Sequence, residues 1–209
     1  MQRFHIAAAL ALTVFAAHPS LAGDIVADWT SVTMPPPPAL RPVKAEPAKT
    51  ALLLLDFDAR TCNAEKRPRC FASLPAVAAL LASARSHGLT VAYSTVMTGS
   101  VNDVPPSLAS RPGDPVVRAG VDKFLGTDLA DALKARGVRT VIVTGTSAHG
   151  AALYTASAAA LRGFDVVVPV DGMSAEDPFA ELAAAWVLAN APASVSSHVT
   201  LTRSDMIGF

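Results

Sequence analysis

Thr140-Val-Ile-Val-Thr-Gly-Thr-Ser-Ala-His-Gly-Ala-Ala-Leu-Tyr-Thr-Ala-Ser-Ala-Ala-Ala-Leu-Arg-Gly163 decides the fold of this 209-residue chain. Val141, Ile142 and Val143 are β-branched and apolar, as in a strand buried on both faces. The run is read as stopping at Gly145. Thr146 and Ser147, both helix N-cap types, then lead into an alanine-rich segment that ends at Gly163, a C′ glycine. The pattern is strand, tight turn, helix. In an open parallel sheet, ligands bind beyond the carboxyl ends of the strands, where a helix start offers unpaired N–H groups to an anion or oxyanion. Ser147, His149, Gly150 and Ala151 are therefore expected to bind substrate.

Outward from this turn the residues carry a family resemblance. Gly145, Ala148-His-Gly-Ala-Ala152, Thr155-Ala156 and Gly163 are followed by Phe164-Asp-Val-Val-Val-Pro-Val170 and Asp171-Gly-Met-Ser174. Together they resemble the isochorismatase-like hydrolases, also called cysteine hydrolases, over roughly residues 50 to 205. The resemblance implies a nucleophilic cysteine at the position that Ala151 holds here. The Ala148-His149 pair is similar to the isochorismatase branch, whose members lack that cysteine and cleave a vinyl ether by acid catalysis. The fold implied is α/β: a three-layer α/β/α sandwich with a mostly parallel central sheet.

One domain is the expected count at this length. The 17 basic residues balance 17 acidic ones, which gives no reason to expect a nucleic-acid partner. Residues 1–22 read as a cleavable signal peptide: Arg3 precedes the apolar Ile6 to Ala17, and Ser20-Leu21-Ala22 is a small-x-small cleavage site. The apolar stretch is too short to span a bilayer, so the mature chain is expected in a periplasm or outside the cell, with no membrane attachment. Residues 23–49 carry Pro35-Pro36-Pro37-Pro38, Pro42 and Pro47, which favour an extended arm. The arm is either a plain linker or a segment that packs Trp29 onto its own domain or a neighbour. Residues 50–209 are assigned to the domain itself, with a homo-oligomer open.

Ala51-Leu-Leu-Leu-Leu55 is the first domain strand, and Asp56 follows it directly. A carboxylate at the mouth of a buried strand is poorly hydrated, which raises its pKa toward a proton-donor range. The resemblance makes this aspartate the catalytic acid or base. Asp58 is either a second carboxylate coupled to it or a plain structural residue. Cys62 and Cys70, the only cysteines, are expected to form a disulfide in an oxidising compartment, worth about 2–3 kcal/mol. Without a nearby histidine or further cysteine they make no metal site. The loop between them carries Lys66, Arg67 and Arg69, which suit an anionic ligand. Pro75 to Ser86 reads as a helix and Leu89 to Ser94 as the next strand. In the isochorismatase branch a substrate-contacting glutamine follows that strand, and here its place falls near Val96.

Pro115 to Leu129 resembles the family segment that carries the catalytic lysine. Counting back from Phe124 puts Arg118 at the lysine position, with Lys123 nearby but shifted. Either cation could set the ionisation of Asp56 or bind a substrate carboxylate. Thr127 caps the helix that follows. His149, at a helix start, is biased neutral and either donates to a carbonyl or shapes the pocket floor. No second histidine at ligand spacing suggests a metal, and no cofactor is expected. The reading that results is a secreted hydrolase acting on a small molecule, with Asp56 as general acid, Arg118 or Lys123 as its cation, and Ser147 and Ala151 N–H groups toward developing negative charge. The rival reading keeps the pocket as a binding site without turnover, and a third gives the arm an interaction role.

Overall fold

Six apolar and small residues, Thr50–Leu55, make a strand with every side chain buried, and the rest of the sheet is built outward from it. The structure, a computed structural model, describes residues 23–209. The leader expected over residues 1–22 lies outside the described residues. The strands are β1 (Val43–Lys44), β2 (Thr50–Leu55), β3 (Thr90–Thr95), β4 (Val116–Arg118), β5 (Thr140–Thr146), β6 (Asp165–Pro169), β7 (Met173–Ser174), β8 (Val199–Thr202) and β9 (Ile207–Gly208). The helices are α1 (Ile25–Asp28), α2 (Pro68–Ser86), α3 (Leu129–Lys134), α4 (Leu153–Leu161), α5 (Pro178–Asn190) and α6 (Ser194–His198).

The main sheet runs β4-β3-β2-β5-β6-β8, with β7 paired beside β5, and every pairing is parallel. Side-chain alternation along each strand divides two cores. Ala51, Leu53 and Leu55 of β2, with Val141 and Val143 of β5, face α3 to α6, whereas Leu52, Leu54 and Ile142 face α2. This is the three-layer α/β/α arrangement expected. The chain moves from β2 to β3 and β4 on one side, then returns to build β5, β6 and β8 on the other. Strand order thus reverses between β2 and β5, which opens a crevice at their carboxyl ends.

Three local expectations change. The strand does not stop at Gly145 but continues through it to Thr146. Gly145 has φ of 152°, and a Cβ there would lie 2.5 Å from the Leu55 carbonyl oxygen, its neighbour in register. The glycine therefore permits close approach of β2 and β5 just before Asp56. Helix α2 starts at Pro68 rather than Pro75. Pro68 occupies the helix start, where no N–H is needed, and Pro75 lies on the exposed face, where water reaches the carbonyl left without a partner.

The arm also divides. Pro37–Phe209 forms one compact unit, and the segment ending at Pro36 forms another. Within the larger unit, Arg41 N–H donates to Leu201 O at 2.9 Å, and Val43–Lys44 pairs with Ile207–Gly208. Proline-bearing extended chain suits such an edge position. In the smaller unit Asp24 caps α1 through Val26 N–H at 3.0 Å, and Trp29 is 65 % exposed.

Gly145→Ala is expected to lower stability by about 1–3 kcal/mol, because the new methyl meets backbone rather than a side chain that could turn aside. Thermal unfolding checks this, and an unchanged midpoint would refute the close approach.

Candidate active site

The crevice between β2 and β5 is a cavity of about 440 Å³, and Asp56, Arg67, Val96, Thr146, Ser147 and Ala151 are among the residues that line it. Asp56 comes from the end of β2, where its φ of 57° turns the chain out of the strand. Aspartate accepts this left-handed conformation more readily than most residues. The residue is only 3 % exposed, yet both carboxylate oxygens are engaged. Ser94 Oγ, at the end of β3, donates to Oδ1 at 2.8 Å, and Lys123 Nζ donates to Oδ2 at 2.6 Å. Burial pushes the Asp56 carboxyl above its ordinary range, and the Lys123 ammonium beside it pulls the other way without cancelling the rise.

Lys123 is 1 % exposed, and its Nζ also donates to Ala119 O at 3.3 Å, so two of its three N–H groups are engaged. The loop that delivers it is held by α4. Thr155 Oγ1 accepts from Lys123 N–H at 3.3 Å and donates to Val121 O at 3.1 Å. The Arg162 guanidinium lies 5.2 Å from the centre of the Phe124 ring. At the other end, Thr127 Oγ1 donates to Lys123 O at 2.6 Å. Between the two cations that the sequence left open, Lys123 is the partner of Asp56. Arg118 sits on the short edge strand β4 with its side chain exposed and is not part of the cavity wall. Counting back from Phe124 fails because residues 119–127 form an irregular loop, so separation in sequence does not translate into direction in space.

The strand-to-helix turn also differs in detail. Ala148–Ala152 forms a wide turn interrupted at Gly150, whose φ of −119° and ψ of −105° are not helical, and regular α4 begins only at Leu153. Ser147 and Ala151 line the cavity, as does Val96. Gly150 is buried outside its wall, and its N–H is already given to Ser147 O at 3.0 Å. His149 is exposed and likewise outside the wall, because the broken turn rotates it to the surface. Asp58 is fully buried outside the cavity wall and caps the following turn, accepting from Arg60 N–H at 3.0 Å, and its negative charge adds the smallest of the pushes on the Asp56 carboxyl, upward.

Sequence reasoning missed Ser94, Thr155 and Thr146 as site residues. Ser94 carried a faint signal as a polar residue ending an apolar strand. Thr146 was read as a helix cap, but it ends β5 as a residue of the cavity wall, and its buried hydroxyl has no hydrogen-bond partner among the described residues. Cys62 and Cys70 are joined as a disulfide, and the chain has no other cysteine.

The isochorismatase domain family matches residues 50–199. The chain belongs to the isochorismatase family. Among solved structures it is similar to an isochorismatase family protein from Desulfovibrio vulgaris, 21 % identical with a TM-score of 0.67, over 75 % of this chain and 95 % of that one. A cysteine hydrolase from Pseudomonas syringae is 21 % identical with a TM-score of 0.67, over 80 % and 94 % of the two chains. An N-carbamoylsarcosine amidase from Thermoplasma acidophilum is 23 % identical with a TM-score of 0.61, over 75 % and 97 %. At these identities the likeness concerns the fold. No curated protein matches the chain.

Lys123→Met in this family member is expected to cost about 3–5 kcal/mol near neutral pH, because it leaves Asp56 buried without its counter-charge. The variant raises the folded-state pKa of Asp56 further, so its stability falls as pH rises from the unfolded aspartate value of about 3.9. Acidification should therefore shrink the deficit in urea titrations. A deficit that does not change with pH would refute the pairing.

Proposed function

We propose that this protein is a hydrolase that cleaves an enol ether in a small, carboxylate-bearing molecule by acid catalysis through Asp56, with no covalent intermediate. The observation that carries the reading is a buried carboxyl on the cavity wall, its pKa raised by burial, facing a site with no thiol. Ala151 has no atom to attack with, and both sulfurs are committed to the disulfide. A vinyl ether needs no nucleophile from the protein. Asp56 gives its proton to the terminal vinylic carbon, the ether oxygen stabilises the resulting cation, and water adds to it. The hemiketal then collapses to a ketone and an alcohol, and the proton lost by the water restores Asp56. Lys123 holds the carboxylate formed in the first step, so the acid is weak enough to keep its proton and strong enough to release it.

The disulfide supports an oxidising compartment, consistent with secretion through a leader at residues 1–22. A binding role without turnover is the second reading. It is favoured by the double engagement of Asp56, whose oxygens are both hydrogen-bonded at rest.

The test uses 2-phenoxyacrylate, whose hydrolysis releases phenol and pyruvate, and its saturated analogue 2-phenoxypropanoate. Asp56→Asn should lower turnover about 10²- to 10⁴-fold while affinity for the analogue changes little. The working form of Asp56 is protonated, so kcat/KM should fall as pH rises through the raised pKa, at a midpoint above about 3.9. Binding of the analogue with no hydrolysis of any enol ether in a panel would decide for the second reading.

A further inference from the structure

The carboxylate of the proposed substrate needs a cation, and neither Lys123 nor Arg118, the two considered as partners of Asp56, supplies one. Lys123 is enclosed behind Asp56 with its ammonium already shared, and Arg118 is on the outer surface. One basic side chain lines the cavity: Arg67. Its Nε faces Glu176 at 3.1 Å, a carboxylate 65 % exposed, and neither terminal guanidinium nitrogen has a hydrogen-bond partner among the described residues. An ion pair with so exposed a partner contributes little and yields readily to a better one. Half of the planar donor fork is therefore free, on the wall of the cavity.

Arg67 is also unusually well fixed for a residue next to a surface loop. It lies inside the nine-residue ring closed by Cys62 and Cys70, which are eight apart in sequence. Its N–H donates to Asn63 O at 2.9 Å, and its carbonyl accepts from Phe71 N–H at 3.1 Å as α2 begins. Cys62 N–H donates to Asp58 O at 2.9 Å, which ties the start of the ring to the turn after Asp56. Both sulfurs sit in the apolar core beneath α2. The ring thus fixes the backbone from which the Arg67 side chain reaches the cavity, relative to the turn after Asp56.

We propose that Arg67 is the carboxylate anchor of the cavity, selecting anionic substrates through a bidentate contact, and that the Cys62–Cys70 ring is what holds it on the wall. The proposal rests on the preceding reading only in taking this cavity as the ligand site. Binding needs no turnover, so the two fail separately. Calorimetry with 2-phenoxypropanoate and its methyl ester, which differ by the negative charge, reads the anchor directly.

The wild-type protein should bind the acid about tenfold or more tightly than the ester. Arg67→Gln should bring the two affinities within about twofold, and Arg67→Lys should keep part of the preference, since it restores the charge without the fork. The Cys62→Ser/Cys70→Ser variant should lose at least about threefold of the acid preference at a temperature where circular dichroism shows it folded. Equal affinity for acid and ester in the wild-type protein, binding of neither, or a preference that survives Arg67→Gln would overturn the anchor. A preference unaltered in the double serine variant would overturn the role of the ring. A general loss of structure would weaken both ligands alike, so the acid-to-ester ratio isolates the charge.

Discussion

A carboxylate and an ammonium, both nearly sealed from water, meet at 2.6 Å between Asp56 and Lys123, and the arrangement of this domain serves that contact. Taking two charges out of solvent costs several kcal/mol per ion, and only good geometry with further hydrogen bonds recovers it. Three separate segments supply those terms. β2 brings Asp56, β3 brings Ser94, and the loop after β4 brings Lys123 together with the Ala119 carbonyl. The parallel register sets two of them, since Leu55 lies opposite Ser94 on one side and Gly145 on the other. A one-residue slip in either pairing would carry the hydroxyl or the glycine to the wrong face. The sheet is thus a device for placing one acid.

That part of the structure was legible in the sequence because it repeats. β2 and β5 are apolar runs with period-two alternation between the cores, and a charged residue ending such a run has one place to go, the strand mouth. The parts that misled are the aperiodic ones. Arg118 and Lys123 are separated by an irregular loop, and no spacing rule says which of them turns inward. The helix start was expected to present His149 and Gly150, but the non-helical backbone at Gly150 interrupts the turn and carries the imidazole to the surface. Gly145 was read as a stop because glycine often is one. Its actual reason, the Leu55 backbone pressed against it, is a contact between strands some ninety residues apart and has no local signature. The proline-bearing segment from residue 37 to 49 likewise gains its place by pairing with the far end of the chain.

The composition of the cavity wall limits its chemistry. A thiolate would need a cation or helix terminus to lower its pKa, and here neither cysteine is available as a thiol. What remains is an acid whose burial raises its pKa and whose ammonium partner limits the rise. Such a group suits the proposed reaction, whose hard step is proton transfer to carbon, because its conjugate base is stabilised where it forms.

The cation's loop and the floor of the cavity are coupled through a single helix. α4 follows directly on the turn that places Ser147 and Ala151, and its Thr155, with Arg162 capping its C-terminus, grips the segment from Val121 to Phe124. Phe124 stacks on Phe164, just past the end of α4, with ring centroids 6.0 Å apart. Its small residues allow this. Ala156, Ala159 and Ala160 are buried almost completely, so the helix lies close against the sheet and has little freedom to roll. If α4 did shift, the floor and the ammonium would move together, and the ion pair at Asp56 would be strained along with the cavity. The ion pair is therefore a constraint on α4 as much as a feature of the site: the acid can be kept buried only while the helix that lays down the cavity floor stays where it is.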